Sequence, residues 1–589
     1  MSQRSERTLL ISRLYFRLLP VQILLLVVNA INGIVSGLFA ANFIGPAAVG
    51  AIGLFGPINM LLIAIGTTFM GGSQILCGKY MGQNHVKKTQ NIFSVDLFAM
   101  FLISVLISLA LLITPAVGLS RAITPDPVVQ TALNLYLLGQ AIGIPALLLG
   151  QQFSAFLSLE NQTKRTTASG LICAVVNVAL SFLLVVICKM GTFGLSLASS
   201  LSLWIFLLVQ VQYYFTDQSI LKLHRPETLR DVISIVRTGY LGSLTNGYQT
   251  IRGFLLNSMI IAWVGSAGLS AFGASDFVLR IFWAIPFGMM AVSRMLMSVS
   301  IGEEDRKTLT DIMRVVLFRC FPIMCAISVV LIFSAIPLTQ LFYRDPTEPV
   351  YEMTVAAFRI LPLSMPPAVI YLSFLCYAQA AGHKLPVHIL SVLDGVISVV
   401  CFSALLIPRL GMNGIYWANV ANGIVSLLVI PVYSCLSRRA FSNDLERIMG
   451  IPDEFGAPEN ARIDISVRSL EEVVTVSRQV TDFCQQQGVD KRRCYFASLA
   501  MEEMAGNVVE HGFKKDRKPH CIDIRIVHKE NDVILRIKDD CIPFNPAERQ
   551  YLIDPEDPIK NLGIRLVYQE AKKLDYQNIL GLNVLTIRI

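Results

Sequence analysis

Ile44-Gly45-Pro46-Ala47-Ala48-Val49-Gly50-Ala51-Ile52-Gly53 is a glycine-rich stretch that returns later in the chain as Val264-Gly265-Ser266-Ala267-Gly268-Leu269-Ser270-Ala271-Phe272-Gly273. The two stretches are 220 positions apart. Keeping this offset along the chain pairs six glycines of the first part with six of the second, whereas 39 glycines in 589 residues would give roughly one such pair by chance. The chain up to about residue 440 is therefore an internal duplication.

The composition places this duplicated part in a membrane. Apolar residues make up 54% of the chain and charged residues 15%, against about 25% charged residues in soluble domains. Twelve apolar runs of about 20 residues, long enough to cross a bilayer, occur between residues 16 and 436, six in each copy. The pattern predicts a polytopic α-helical membrane protein with 12 transmembrane helices in two parallel six-helix repeats, because an even number of spans returns the chain to the same side.

Four segments follow from these runs and from the composition after them. The first repeat is predicted at 1–219 and the second at 220–440. Residues 441–460 contain Pro452, Gly456 and Pro458 and are predicted to be a linker. The remaining 461–589 are long enough for a small separate domain.

The basic residues indicate the orientation of the chain. Arg4, Arg7, Arg13 and Arg17 precede the first apolar run, and most other lysines and arginines of the duplicated part lie at the even-numbered connections. By the positive-inside rule, both termini are predicted to be cytoplasmic, in the inner membrane of a bacterial-type cell. The net charge of +8 comes from these connections, so membrane lipid is an expected partner and nucleic acid is not.

Charged residues within the apolar runs of the second repeat are candidates for transport. Asp394 lies in the eleventh run and Asp276 in the eighth, and a carboxylate inside a membrane is costly enough to suggest a function. Asp276 and Arg280 are four residues apart and can instead neutralise each other. Asp394 has no opposite charge in its own run, so its expected partner is Arg252 or Arg359. Asp394 and Asp276 are the predicted ligands of a coupling ion or a cationic substrate, and Arg252 is the third predicted transport residue.

Several short motifs occur in and between the apolar runs. They are Pro20, the Gly45–Ala51 turn, Gly71-Gly72-Ser73-Gln74, Lys79-Tyr80-Met81-Gly82-Gln83-Asn84, Gln162-Thr163-Lys164 ahead of Asn177, and Gly191-Thr192-Phe193-Gly194. Together they resemble the MATE family of multidrug and toxin exporters. The resemblance covers most of residues 10 to 437. It implies two six-helix lobes that alternate in access, and export of small organic molecules driven by sodium ions or protons.

The sequence departs from this family at two places. Ser36 occupies the position at which many members carry an aspartate in the first span, and Asp96 is the alternative carboxylate in the first repeat. At the cytoplasmic end of the eighth span, Glu303-Glu304-Asp305 replaces the sequence Gln83-Asn84-His85 of the first repeat. These changes leave open whether transport is retained.

The carboxy-terminal domain has the pattern of an α+β fold. Alternating and helical periodicities predict helices on one face of a mostly antiparallel sheet. The predicted elements are a strand at 461–467, helices at 469–487 and 490–511, strands at 521–529 and 532–538, a helix at 563–574 and a strand at 583–589.

Three motifs follow one another in this domain. They are Glu503 and Asn507 on one helical face, the turn after Asp539, and the helix that opens near Gly563. Taken in order, they resemble the histidine-kinase-like ATP-binding fold and most closely its anti-sigma-factor serine kinase branch. The resemblance implies that Asn507 holds Mg²⁺ and that Glu503 is the catalytic base. Asp539 would bind the adenine of ATP with Thr586 nearby, and Gly563 would let phosphate approach a helix N-terminus.

The domain also departs from its family around the nucleotide. Cys541 stands where a glycine is usual, and Lys560-Asn561 stand where two glycines are common. The stretch from Tyr551 to Pro558 is acidic and contains prolines. A lid with few glycines should approach phosphates less closely, so it stays open whether ATP is turned over.

Two functions are compatible with these features. The first is a cation-coupled antiporter of small organic molecules that is regulated by the ATP-binding domain. The second is a membrane receptor whose transporter-like body controls a serine protein kinase acting on an anti-anti-sigma-like partner protein. The missing carboxylate at Ser36 favours the second function, and the nearly complete two-repeat body favours the first.

Overall fold

The computed structural model describes residues 2–118, 120–121, 126–216, 219–225, 228, 230–438, 444–513, 520–529, 532–543, 545–546 and 562–589. The chain forms two compact units. The membrane unit consists of Arg17–Gly302 and Met313–Gly450. The carboxy-terminal unit combines Ile451–Ile589 with Glu303–Ile312 and with the amino-terminal segment that ends at Phe16.

The chain before residue 450 is helical in the part that the structure describes. The helices are α1 (Ser2–Phe39), α2 (Pro46–Gly82), α3 (Val86–Val117), α4 (Pro127–Leu159), α5 (Thr163–Ser181), α6 (Gly191–Val211), α7 (Arg230–Trp263), α8 (Ser266–Gly302), α9 (Arg306–Val315), α10 (Phe321–Phe333), α11 (Ala335–Gln340), α12 (Pro349–Ile360), α13 (Met365–Ala381), α14 (Lys384–Val392), α15 (Ser398–Leu410), α16 (Met412–Arg438) and α17 (Leu445–Ile448). Wider π-helical turns at Ala40–Ile44, Phe182–Ile187, Val316–Cys320 and Leu393–Ile397 join or end some of them, as do tighter 3₁₀ turns at Gln212–Phe215 and Leu361–Ser364.

Most of these helices suit a bilayer. Among the described residues, 11 helical segments are long and apolar enough to cross a membrane. Helix α7 has 34 residues, and so is about 51 Å long, but polar side chains such as Asn246 and Arg252 lower its hydropathy. The predicted fold class, a polytopic helical protein with an α+β domain, is confirmed, and α7 provides the polar twelfth long helix.

The duplication reappears in the helix boundaries. Helix α2 begins at Pro46 and α8 at Ser266, both have 37 residues, and both follow a glycine with positive φ. The φ angles are 121° at Gly45 and 88° at Gly265. Residues with a Cβ rarely adopt such angles, so each glycine allows the sharp entry into its helix. The 220-residue offset of the sequence therefore describes a repeat of structure.

Within the membrane unit, α2 of the first repeat and α7 of the second approach each other backbone to backbone. A Cβ added to Gly239 on α7 would lie 2.7 Å from the Gly72 nitrogen and 2.8 Å from the Thr68 carbonyl carbon on α2. A Cβ added to Gly72 would lie 2.8 Å from the Ile235 carbonyl carbon. Small residues that allow such close contact are typical of helix pairs in membranes.

The carboxy-terminal unit contains a five-stranded antiparallel sheet. The strands are β1 (Arg462–Val467), β2 (Ile522–Lys529), β3 (Asp532–Asp539), β4 (Lys573–Ile579) and β5 (Leu582–Arg588), in the spatial order β1-β2-β3-β5-β4. Its helices are α18 (Leu470–Gln486), α19 (Lys491–Asn507) and α20 (Leu562–Glu570), with a π-helical turn at Val508–Gly512 and a 3₁₀ turn at Glu459–Ala461.

The two faces of this sheet differ in chemistry because side chains alternate along each strand. The inner face packs against the helices through apolar residues such as Ile524, Leu535 and Ile537, which meet Val480 and Met501 in the core. The outer face carries polar residues at most of the intervening positions. They include Asp464, Ser466, Asp523, Arg525, Lys529, Arg536 and Lys538.

The structure corrects the end of the chain. The helix predicted at 563–574 ends at Glu570, and Lys573–Ile579 form a strand that was not predicted. Strands β4 and β5 are joined at Leu580 and Gly581, whose φ angles are 55° and 86°. Two consecutive positive φ angles are typical of a two-residue hairpin turn. Leucine is unusual at the first of these positions, so the sequence lacked the usual Asn-Gly signal.

Candidate functional site

The membrane unit contains a partly open cavity of about 750 Å³. Helix α7 contributes Arg252, α8 contributes Asp276, and the second repeat also supplies Tyr371, Asp394 and Asn422. The three predicted transport residues thus line one cavity. The lining residues that come from the first repeat are Gly56, Pro57, Met60 and Ile63. Since none of these four is ionisable, the charged groups of the cavity belong to the second repeat.

Asp394 is held by neutral groups. Its side-chain oxygen Oδ1 accepts hydrogen bonds from the Tyr371 hydroxyl at 2.7 Å and from the Asn422 amide at 2.9 Å, and the residue is only 6% exposed. The Arg252 guanidinium donates to the backbone carbonyl of Asp394 at 3.1 Å, and Arg359 is exposed. The expected ion pair between the Asp394 carboxylate and an arginine is therefore wrong for the described residues.

The backbone around Asp394 explains this geometry. Asp394 lies in the π-helical turn Leu393–Ile397, and such turns often occur at functional sites. A Cβ added to Gly395 would lie 3.2 Å from Cγ of Tyr248, so this glycine allows α7 to pass close by. The close passage brings Arg252 to the carbonyl group rather than to the carboxylate.

Asp276 and Arg280 form the salt bridge that their spacing allows. Arg280 Nη2 lies 2.5 Å from Asp276 Oδ2, and the two side chains are 48% and 66% exposed for Asp276 and Arg280 respectively. Both line the cavity. Asp276 thus differs from Asp394, because its charge already has a cation beside it.

The first repeat offers no substitute carboxylate in the cavity lining. Ser36 is buried, and Asp96 on α3 is 0% exposed and is not among the lining residues. The cavity lining described for the first repeat lacks an acidic group, in line with the departure noted at Ser36.

Asp539 occupies the end of β3 in the carboxy-terminal unit. Its Oδ1 accepts from the backbone N–H of Cys541 at 3.0 Å and from the Asn583 amide at 2.8 Å. Burial raises the pKa of the Asp539 carboxyl above its ordinary value, although these hydrogen bonds oppose the rise. The carboxylate is fixed in position and poorly hydrated, as a group that must recognise one hydrogen-bonding ligand should be.

Thr586 does not lie beside Asp539, which corrects the prediction. In the pairing of β3 with β5, Thr586 is opposite Arg536 and Asn583 is opposite Asp539. The Arg536 guanidinium donates to the Thr586 hydroxyl at 3.4 Å, on the outer face of the sheet. Asn583, which was not predicted, takes the place next to Asp539 on the inner face.

Asn507 and Glu503 lie one helical turn apart near the end of α19. The side-chain nitrogen of Asn507 donates to the backbone carbonyl of Glu503 at 2.7 Å. The side-chain oxygen of Asn507 has no hydrogen-bond partner among the described residues. A Cβ added to Gly563 on α20 would overlap the Glu503 carboxylate. The structure thus brings together Glu503, Asn507 and Gly563, and the donor set of one amide oxygen and one carboxylate fits Mg²⁺.

The structure describes only some of the residues around this site. The predicted departures at Tyr551–Pro558 and Lys560-Asn561 lie outside the described residues. Cys541 is buried and uses its N–H to hold Asp539. Next to it, His520 Nδ1 lies 2.8 Å from Asp540 Oδ1, and these two with the Cys541 thiol have possible ligand atoms within 4.8 Å of one another. His520 was not singled out in the sequence, because its partners are 20 residues away.

Comparisons with known proteins agree with both parts of the chain. Residues 20–183 and 243–402, more than half of the chain, match the MatE family, and residues 467–589 match the family described as histidine kinase-like ATPase domain. No curated protein matches the chain in sequence.

Solved structures with a similar fold include MATE transporters. One is a MATE protein crystallised in complex with MaL6, with a TM-score of 0.67, 19% identity, and coverage of 71% of this chain and 94% of that chain. Another is the outward-facing conformation of a multidrug resistance MATE family transporter, with a TM-score of 0.65, 18% identity, and coverage of 71% and 94%. A third is a MOP superfamily transporter from Pyrococcus furiosus, described as having a binding pocket of reverse polarity, with a TM-score of 0.64, 19% identity, and coverage of 73% and 97%.

At these identities the solved structures show the fold, and the family match shows membership. The two families account for the repeated membrane unit and for the separate α+β domain. The chain is a multi-pass membrane transporter that belongs to the MatE family and carries a carboxy-terminal ATP-binding domain of the histidine kinase-like type.

Proposed function

We propose that this protein is a cation-coupled antiporter of small organic molecules, with Asp394 as the group that binds sodium ions or protons. The observation that carries the proposal is the hydrogen bonding of Asp394. Its carboxylate lies in the cavity with two neutral donors, Tyr371 and Asn422, and with no cation bound to it among the described residues. A buried carboxylate without a fixed counter-charge is stabilised when a mobile cation or a proton joins it.

This arrangement supplies a simple basis for exchange. The coupling ion, a sodium ion or a proton, would compete with a cationic substrate for the Asp394 carboxylate. One carboxylate carries one negative charge, so a second cation would gain little electrostatic stabilisation there. Arg252 would keep the π-helical turn in place through the Asp394 carbonyl. Asp276, already paired with Arg280, would contribute to substrate contact rather than to coupling. Coupling would then rest on the second repeat.

The carboxy-terminal domain is proposed to bind ATP with Mg²⁺ and to regulate transport. The phosphates of bound ATP would contact Mg²⁺ and the N-terminus of helix α20. Asp539, held by Asn583, would accept the adenine amino group, and the Asn507 amide oxygen would be a metal ligand. Gly563 would keep the start of α20 close to Glu503. Thr586 has no place in this proposal.

The proposed location is the inner membrane with both termini in the cytoplasm, because the basic connections lie on one side of the predicted spans. ATP is then available to the carboxy-terminal domain. The boundaries 1–219, 220–440, 441–460 and 461–589 stay predictions, as does the small organic substrate.

Flux through reconstituted vesicles tests the antiporter. Purified full-length protein in proteoliposomes should move ethidium, an organic cation, when a sodium or pH gradient is imposed. Asp394→Asn should reduce this flux by about tenfold or more, since the neutral amide cannot exchange a proton or bind a cation by charge. The matched control is Asp345→Asn in an exposed loop, which should leave the flux unchanged. Equal flux in wild type and Asp394→Asn would refute the role of Asp394.

A second candidate function is favoured by Glu503. Its carboxylate lies beside Gly563, one helical turn before Asn507, and makes no hydrogen bond to the described residues, as a general base awaiting a hydroxyl group should. The protein would then be a receptor with a serine protein kinase domain of the anti-sigma-factor type. Labelled ATP should transfer phosphate to a serine of an anti-anti-sigma-like protein, and Glu503→Gln should abolish transfer while ATP binding persists. Absence of ethidium and other organic-cation flux, with phosphate transfer present, would decide for this candidate.

A further inference from the structure

The acidic turn Glu303-Glu304-Asp305 connects α8 to α9 and belongs to the carboxy-terminal unit. Its side chains face basic residues on the outer face of the sheet. Asp305 Oδ1 lies 2.6 Å from Arg525 Nη2, and Glu303 Oε2 lies 2.5 Å from Lys538 Nζ. The side chains of Asp305 and Glu303 are 0% and 2% exposed, and those of Arg525 and Lys538 are 6% and 10% exposed. Two charge pairs are thus removed from water at this contact.

Backbone contacts reinforce these pairs. The Arg536 guanidinium donates to the Glu303 carbonyl at 3.1 Å, and that of Arg306 donates to the Pro452 carbonyl. Asp305 also accepts from the Thr308 backbone N–H at 2.8 Å, which fixes its carboxylate at the start of α9. Direct bonds from arginines to carbonyl groups require a defined geometry, unlike the attraction between exposed charges.

The equivalent turn of the first repeat has different chemistry. Asn84 and Glu304 are 220 positions apart and have φ angles of 60° and 54°. Asparagine tolerates this left-handed backbone, whereas glutamate does so less readily. Glu304 nevertheless occupies it, and its carboxylate lies 2.8 Å from Lys529 Nζ. Glutamate thus occupies this position in the second repeat, where its carboxylate contacts Lys529 of the sheet, and asparagine occupies it in the first.

The outer face is separate from the proposed nucleotide site. Lys538 and Asp539 are consecutive residues of β3, so their side chains point to opposite faces. Lys538 contacts Glu303 on the outer face, and Asp539 contacts Asn583 on the inner face. The acidic turn and a nucleotide can therefore be bound at the same time, with one strand between them.

We propose that the acidic turn Glu303–Asp305 is the docking site through which the carboxy-terminal domain acts on the transporter body of the same chain. The turn is covalently continuous with α8 and α9, so a force on it reaches two helices of the second repeat directly. This inference rests on the proposed regulation of transport for its consequence, while the docking itself is a separate claim. Its partner is the outer face of the sheet formed by Arg525, Lys529, Arg536 and Lys538.

Lysine footprinting of the full-length protein tests the docking. An amine-reactive reagent is followed by mass spectrometry at Lys538 and, as an internal reference, at Lys572, whose side chains are 10% and 56% exposed. The ratio of these exposures predicts that Lys538 reacts about sixfold more slowly than Lys572 in wild type. In Glu303→Gln/Asp305→Asn, Lys538 should react within about twofold of Lys572, because its two carboxylate partners are gone.

Two further variants test whether a general loss of negative charge, or unfolding of the domain, explains the faster reaction of Lys538. Glu471→Gln/Asp482→Asn removes two exposed carboxylates of α18 and should leave Lys538 protected. In Glu303→Lys/Lys538→Glu the pair is reversed, and the lysine introduced at position 303 should be protected, which shows a folded and docked domain. Persistent protection of Lys538 in Glu303→Gln/Asp305→Asn, with Lys572 reacting normally, would overturn the docking site.

The consequence is tested by flux in proteoliposomes. Mg-ATP on the side of the carboxy-terminal domain should change ethidium flux of wild type, and this response should vanish in Glu303→Gln/Asp305→Asn although Mg-ATP still binds. A response that survives undocking would overturn the inference. Failure of wild type to respond at all would refute the proposed regulation instead, and the protection of Lys538 would still decide the docking.

Discussion

Replacement of Gly239 by alanine should shift the transporter between its conformations. The added Cβ would lie 2.7 Å from the Gly72 nitrogen and 2.8 Å from the Thr68 carbonyl carbon, distances that real Cβ atoms essentially never show. Both contacts are to backbone atoms, so α2 and α7 must separate. Overpacking of this kind costs about 1–3 kcal/mol. Only conformations in which the two helices touch bear this cost, so their population should fall by about 5- to 150-fold relative to those in which the helices are apart.

Labelling of a buried cysteine reports this shift. Ser298 on α8 is 1% exposed, and a Cβ added to Gly78 on α2 would lie 3.0 Å from its Cβ. In a background without native cysteines, Ser298→Cys should react slowly with a water-soluble maleimide and faster when Gly239→Ala is added. Gly247→Ala is the matched control, because the same helix has open space around Gly247. Equal labelling in the two alanine variants would refute the reasoning.

Three other outcomes are expected. Asn507→Ala should raise the dissociation constant of Mg-ATP by about tenfold or more, measured by calorimetry, since a metal ligand is lost; unchanged binding would rule out Asn507 as that ligand. Because burial raises the pKa of Asp539, the folded domain keeps this proton to higher pH than the unfolded chain, and stability falls as pH rises from the ordinary aspartate value through the raised one. Asp539→Asn should remove that fall in unfolding measurements across this range, and an identical pH profile would contradict it. Tyr371→Phe should lower ethidium flux because Asp394 loses a donor, whereas Tyr416→Phe should not, because the buried Tyr416 hydroxyl has no hydrogen-bond partner among the described residues; equal effects would contradict the assignment.

Much of the membrane unit could be predicted because its signals are local. Long apolar runs indicate spanning helices, and glycines such as Gly45 and Gly265 mark turns that need positive φ. The 220-residue offset between the copies then relates the helix boundaries of the two repeats, such as the starts of α2 and α8. The salt bridge of Asp276 with Arg280 follows from helical spacing alone.

The partners of Asp394 could not be predicted in this way. Charge arguments favoured arginines, but Tyr371 and Asn422 come from other helices, and their positions depend on packing. The π-helical turn at Leu393–Ile397 and the glycine at position 395 have no clear sequence signature before the structure is known. Contacts of a buried carboxylate are settled by which helices meet, and this is a property of the whole fold.

The error at Thr586 has a similar origin. Register in a sheet is set by the turn, and a shift by one residue moves a side chain to the other face. The turn at Leu580 and Gly581 lacks its usual residues, so strand β4 and the register of β5 were missed. The position of Asn583 beside Asp539 depends in addition on the pairing of β3 with β5, two strands that are far apart in sequence. Helical spacing put Glu503 and Asn507 on one face, whereas Asp539 and Gly563 were predicted from the family resemblance.

The carboxy-terminal unit is assembled from parts of the chain that are made at very different times. During synthesis, Glu303 and Asp305 leave the ribosome more than 200 residues before Arg525 and Lys538, and contacts so distant in sequence form late. Until then, both carboxylates must remain hydrated. A chain that stops before β2 cannot form either pair, so it presents an acidic loop to water in place of a closed contact. Completion of this contact therefore requires a chain that has passed β3, and a chain that ends earlier keeps at least one of the two carboxylates in water.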